Sequence, residues 1–186
     1  MIKDTTFQEC AKKIGCEVAV IKAVSEVESS GGGFLPTGDV KILFEPHVFW
    51  KELKKLGIQP ILSDICYPNW GAKPYGKTSE QHKRLQKAVS INREAALKSA
   101  SWGAFQIMGN NYIACGCDSI QDFVNKMMDS EDSQLELFTE FILNSHLDDE
   151  LIHKLWSQFA LQYNGKGYKK NVYDTKLAKA YLKYKQ

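Results

Sequence analysis

Glu28 is the side chain whose setting most invites chemistry. Ile21, Val24 and Glu28 are spaced i, i+3, i+7, and Val20, Val24 and Val27 are spaced i, i+4, i+7. A helix over roughly 17–28 therefore projects Glu28 from its apolar stripe. Desolvation there disfavours the charged form and raises a carboxyl pKa, so the acid keeps a proton near neutrality and can donate it to a leaving oxygen. Helix stability does not explain the choice, because a carboxylate in the last turn opposes the macrodipole. The competing reading is a boundary residue that reaches solvent past Gly31-Gly32-Gly33. Those glycines are either a plain helix stop or a bare backbone that a polymer can approach closely. Glu26 is expected on the opposite, solvated face, four residues after Lys22, where an exposed pair contributes only a few tenths of a kcal/mol.

Other chemistries find little support. His47, His82, His146 and His153 have no close ligand spacing, and a set of His146, Asp148 and His153 is the only metal site worth weighing. No nucleophilic Cys-His motif is present, and the Gly31 cluster follows a helix without the Lys-Ser/Thr of a phosphate loop. No cofactor, metal or nucleic acid is expected.

The elements that must position Glu28 follow from periodicity. Phe7, Cys10, Ala11 and Ile14 mark a helix over 5–14. After the glycines, Gly33 to Pro36, a Thr37-Gly38-Asp39 turn and Val40 to Phe44 resemble a small hairpin or flap. Residues 60–77, with Pro60, Pro68, Gly71, Pro74 and Gly76, read as loop. From Thr78 the pattern turns helical, with Leu85, Ala88, Val89, Ala96 and Leu97 inward. Gly103 to Met108 is a short apolar helix candidate. Asp118 and Asp148 are expected N-caps of later helices, whose stripes are Phe123 and Met127, then Leu135, Phe138, Phe141 and Ile142, then Leu151, Leu155 and Phe159. A final helix spans about 174–184. Many helices and one flap give an α+β, predominantly α-helical domain.

Three segments in order carry a resemblance. Glu28-Ser29-Ser30, Ser101-Trp102-Gly103-Ala104-Phe105-Gln106-Ile107-Met108 and Gln162-Tyr163-Asn164-Gly165 resemble the Glu-Ser, Gly-Ala…Gln-Ile-Met and Tyr-Asn motifs of goose-type lysozymes and lytic transglycosylases. The stretch VSEVESSGGGFLPTGDVKILFEPHVFW is similar to the start of the N-acetylmuramidase domain of phage endolysins, and the likeness runs from about residue 15 to residue 180. It implies a lysozyme-like fold and cleavage of the β-1,4 bond between N-acetylmuramic acid and N-acetylglucosamine in peptidoglycan, with Glu28 as general acid. It also implies that Ser30, Ser101, Gln106, Met108, Tyr163 and Asn164 line the sugar cleft, where amides and hydroxyls orient sugar polar groups. Met108 and Phe105 could equally be ordinary core, and Tyr163 a capped core tyrosine. An inverting hydrolase needs a second carboxylate to place water, roughly 6.5–9.5 Å from the first, and a retaining one needs it about 5–5.5 Å away. Glu45 is the candidate, at the end of the flap that faces the catalytic helix in lysozyme-like folds, against a strand-end acid paired with a surface lysine; Asp64 and Asp39 are lesser candidates. A lytic transglycosylase forming 1,6-anhydro ends, or a non-catalytic binding protein of the same fold, are the alternatives.

The bulk properties agree with one domain over 1–186, large enough to bury roughly 70% of its unfolded surface. Apolar residues make up 44% and charged residues 25%, which excludes a disordered or fibrous chain. The polar start lacks the apolar run of a secretory signal, and no stretch is long enough to span a membrane. The expectation is synthesis in a host cytoplasm, action on the wall after release, and a monomer whose wall affinity comes from the domain itself. Five cysteines without a disulfide framework read as free thiols. The net charge of +2 hides an asymmetry, since Lys166–Gln186 carries +6 and the remainder −4. That segment is either weakly drawn to anionic envelope surfaces or simply a solvated helix face.

Overall fold

The computed structural model describes residues 1–29, 32–165, 169 and 171–185. Among them are ten α-helices and three short strands. Two helices in contact, α1 (Asp4–Ile14) and α2 (Val18–Glu28), open the chain. Strand β1 (Ile42–Phe44) leads into α3 (Pro46–Lys55), a long loop follows, and α4 (Gln81–Val89) and α5 (Arg93–Lys98) precede β2 (Ala100–Trp102) and β3 (Ile107–Met108). The rest is helical: α6 (Ile120–Asp129), α7 (Glu131–Asn144), α8 (Asp148–Ile152), α9 (Trp156–Asn164) and α10 (Tyr173–Tyr184). The α-dominated α+β class expected from sequence is the class observed.

The core forms where the helical stripes meet. Ile21 and Val24 of α2, Phe123 and Met127 of α6, Leu135 and Phe138 of α7 and Leu177 of α10 are all but inaccessible. Each such side chain contributes about 1.5–3 kcal/mol through removal from water. Helix α10 packs along α2 and α9, and α1, itself backed by α7, packs on α2 as well, so α2 is gripped by two helices. This grip holds its C-terminal end, and with it Glu28, in place.

Several local expectations are corrected. Residues 33–41 do fold back on themselves as the expected flap, Leu35 N–H donating to Asp39 O and Lys41 N–H to Gly33 O, each at 2.8 Å, but without two full strands. Phe34 and Val40 form a single antiparallel bridge around the Thr37-Gly38-Asp39 turn, and β1 instead pairs with β2, Leu43 opposite Ser101, while β2 pairs with β3. Gly103–Met108 is no helix, because Gly103 at φ 70° and Gln106 at φ 49° reverse the chain between β2 and β3. An apolar run this short lacks the period that would separate helix from strand. Pro46–Lys55 forms a further helix, and proline at its first position suits a helix start. Ser119, not Asp118, caps α6 by accepting from Asp122 N, and Asp148 lies inside α8 behind Leu147. Leu155 sits between α8 and α9 and is exposed.

Candidate active site

Glu28 is the last residue of α2 and stands half-buried in the wall of a cleft of about 690 Å³. Asn164, the last residue of α9, donates its amide to Glu28 Oε1 at 2.9 Å. Burial raises the Glu28 pKa above its ordinary value, opposed by the Asn164 bond and more weakly by the charge of Lys176. A carboxyl with one neutral donor and little water keeps its proton longer than a surface glutamate. Glu26, two residues earlier, has the opposite setting: Lys183 Nζ and Tyr184 Oη both approach its Oε2 at 2.6 Å and lower its pKa. Its expected partner Lys22 pairs instead with Asp4, because α10 covers that side of α2.

The opposite wall comes from the sheet. Ser101 on β2 and Met108 on β3 are register partners, and Ser101 Oγ donates to Met108 Sδ at 3.0 Å. Gln106 lines the cleft from the left-handed turn, its Nε2 donating to Gly103 O at 2.8 Å. A left-handed non-glycine residue costs about 1–2 kcal/mol, so the turn holds Gln106 in an otherwise disfavoured pose. Tyr163 serves both readings offered for it. Its ring is packed by Phe138, Phe141 and Phe159, and its hydroxyl donates to Phe105 O at 2.8 Å, tying α9 to that same turn while one edge lines the cleft. Phe105 is core, 4.5 Å from the Phe138 ring centroid, and contributes only an edge to the cleft.

Glu45 also lines this cleft, between β1 and α3. Its backbone N–H donates to Ser99 O at 2.8 Å and its carbonyl accepts from Val48 and Phe49, so both flanks are fixed. Among the lesser candidates, Asp64 pairs with Lys87 on the surface and Asp39 accepts from Thr37 at the flap turn, and neither lines the cleft. Ser30 lies outside the described residues. Among the described residues, no His, Cys, Asp and Glu side chains are grouped as three metal ligands.

Four cleft residues carry no sequence signal of their own: Leu43, Asn111, Phe141 and Tyr173. Phe141 belongs to a stripe that periodicity assigns to core, and Tyr173 begins a helix whose docking on α2 no local pattern predicts. A fifth residue acts from behind. Gln134 of α7, 0% exposed, accepts from Ala104 N at 2.8 Å and donates to Met127 O at 2.8 Å. A Cβ on Gly33 or Gly103 would run into its amide. At Gly33 the bare backbone thus admits the protein's own glutamine rather than a polymer.

Comparison with known proteins fits this arrangement. The family described as Muramidase: N-acetylmuramidase matches residues 17–185. No curated protein matches the chain. Among solved structures, the crystal structure of the Burkholderia AP3 phage endolysin superposes with a TM-score of 0.92 at 38% identity, over 98% of this chain and 70% of that one. A match spanning all ten helices but the first, joined to a superposition over nearly every residue, means that the chain belongs to the N-acetylmuramidase family of glycoside hydrolases, which act on peptidoglycan.

Proposed function

We propose that this muramidase hydrolyses the β-1,4 bond between N-acetylmuramic acid and N-acetylglucosamine, with Glu28 as general acid and Glu45 as the base that activates water. The setting of Glu28 carries the reading: a half-buried carboxyl with raised pKa, held by one neutral amide at the wall of a polar and aromatic cleft. A protonated Glu28 gives its proton to the departing oxygen as the bond from the anomeric carbon breaks. Asn164 then stabilises the carboxylate left behind, because its amide donates to that oxygen. Water adds to the anomeric carbon and passes its proton to Glu45, leaving a reducing end. Ser101, Gln106, Asn111 and Asn164 offer amides and hydroxyls for sugar polar groups, and Tyr163 and Tyr173 offer ring edges.

On this reading the enzyme acts on the wall as a monomer, and its basic terminal segment favours anionic envelope surfaces. The decisive measurement is mass spectrometry of muropeptides released from purified sacculi. Reducing N-acetylmuramic acid ends, which borohydride reduces, are the expected product. Ends lighter by one water, closed as a 1,6-anhydro ring and inert to borohydride, would remove Glu45 from the reaction and leave Glu28 to act alone.

A further inference from the structure

The long loop after α3, residues 56–77, ends against the cleft rather than in solvent. Its Tyr75 hydroxyl donates to Glu45 Oε2 at 2.5 Å, and His47 Nδ1 lies 3.3 Å from the same oxygen. The two side chains of the Glu45–His47 pair are only 14% and 13% exposed. Among the described residues, Glu45 Oε1 has no hydrogen-bond partner, although the residue lines the cleft. One oxygen is therefore engaged by protein and the other is available to a water.

The support behind Tyr75 is more elaborate than a casual contact requires. Its carbonyl accepts from Gln81 Nε2 at 2.8 Å and from the Arg84 guanidinium. Gln81 is buried, and its Oε1 accepts from Phe44 N at 3.1 Å. A single glutamine thus joins the residue before Glu45 to the residue that holds the Glu45 carboxylate. Burial and the neighbouring carboxylate push the Tyr75 phenol far up, so it stays a donor. Burial, outweighing Glu45, lowers the His47 pKa, and a neutral imidazole facing a carboxylate selects the tautomer with its proton on Nδ1.

We propose that Tyr75 and His47 are positioning residues that clamp Glu45 so that its free oxygen fixes the attacking water, and that this clamp decides between hydrolysis and anhydro-ring formation. The inference rests on the reading of Glu45 given above. Both outcomes begin alike: the anomeric carbon–oxygen bond breaks and the leaving oxygen takes the proton of Glu28. In hydrolysis the water oxygen bonds to the anomeric carbon and its proton passes to Glu45. In the competing path the sugar's own 6-hydroxyl oxygen bonds to that carbon and returns its proton to Glu28, consuming no water. Only the first path needs Glu45, so loosening Glu45 slows it and lets the second compete.

Soluble glycan strands digested by Tyr75→Phe, His47→Gln and Glu45→Gln provide the test, with rate and product ends measured together. Tyr75→Phe and His47→Gln are each expected to lower kcat by about 10- to 100-fold with KM within about twofold, since they alter the placement of the nucleophile rather than substrate binding. The share of 1,6-anhydro ends should rise in both. Tyr67→Phe removes a hydroxyl from the same loop whose contact is Lys73 O, and should match the wild type in rate and products. Unchanged rate and products in both clamp variants, or a slower rate with the product ratio unmoved, would overturn the clamp and leave Glu45 as base. Should Tyr75→Phe not fold, His47→Gln reads the same carboxylate oxygen. A fully active Glu45→Gln, or anhydro ends from the wild type, would instead sink the underlying reading and the clamp with it.

Discussion

Two glutamates on one helix, two residues apart, are expected to behave as different chemical groups. Glu28→Gln keeps an acceptor for Asn164 and removes the proton donor, so glycan cleavage should fall by about 10²- to 10⁴-fold. Its stability should move the other way. The folded pKa of Glu28 lies above its ordinary value of 4.5, so between those two values the folded state holds more protons than the unfolded. Stability is then greatest below 4.5 and declines as pH rises through the folded pKa. The glutamine variant lacks that decline: urea melts should find it more stable than wild type near pH 7 and equal to it near about pH 3. Glu26→Gln loses contacts to Lys183 and Tyr184, but that carboxylate is 39% exposed. The cost should stay within about 1 kcal/mol and activity within about twofold. A dead Glu26→Gln beside an active Glu28→Gln would invert the assignment of the acid.

At the scale of elements, the cleft is two halves held at a fixed separation. One half is the end of α2 with Asn164 and Tyr173; the other is the sheet with its Gly103–Gln106 turn. Gln134 pins the turn to the body of α7, and Glu131 of the same helix accepts from Gly33 N at 2.9 Å, fixing the chain that leaves Glu28. Replacing Gln134 with Leu leaves Ala104 N–H and Met127 C=O buried without partners, at about 1–3 kcal/mol for each group. The melting midpoint should drop sharply, and kcat should fall in the protein that remains folded because Gln106 and Ser101 lose their placement. A Gln134→Leu variant with wild-type stability and rate would show that the pin is dispensable. Tyr163 makes the matching tie from α9, through its hydroxyl to Phe105 O.

At the scale of the molecule, charge and thiols give two further tests. The terminal segment carries +6 against −4 elsewhere, and Lys179 on α10 and Lys185 just after it are exposed, whereas Lys183 is engaged by Glu26. Sacculus binding should weaken as salt rises, because screening shortens from about 10 Å at 0.1 M to about 3 Å at 1 M, and Lys179→Gln with Lys185→Gln should flatten that slope. Equal binding at every ionic strength would make these lysines a solvated face. Cys10, Cys66, Cys115 and Cys117 are buried, and burial raises the Cys16 and Cys117 thiols to about 11. Iodoacetamide at about pH 8 should label the native protein slowly, Cys16 first, and reductant should leave its melting unchanged. Rapid labelling of Cys115 would contradict its burial. The sequence alone determined most of the long helices and their inward faces, though not the helix at Pro46–Lys55, the place of Glu28 on an apolar stripe, and the family, through three motifs in order. These depend on near neighbours: a helical period reads out within a few turns, and a motif is local by construction. Tertiary structure alone decided that β1 pairs with β2 rather than with the segment before it, that Glu26 meets α10, that Gly33 makes room for Gln134, and that Tyr75 closes on Glu45. Each of those is a choice of partner from far along the chain. Loop closure changes so slowly with length that sequence separation scarcely ranks the candidates, and the choice falls to whichever surfaces bury and pair best once every helix has docked.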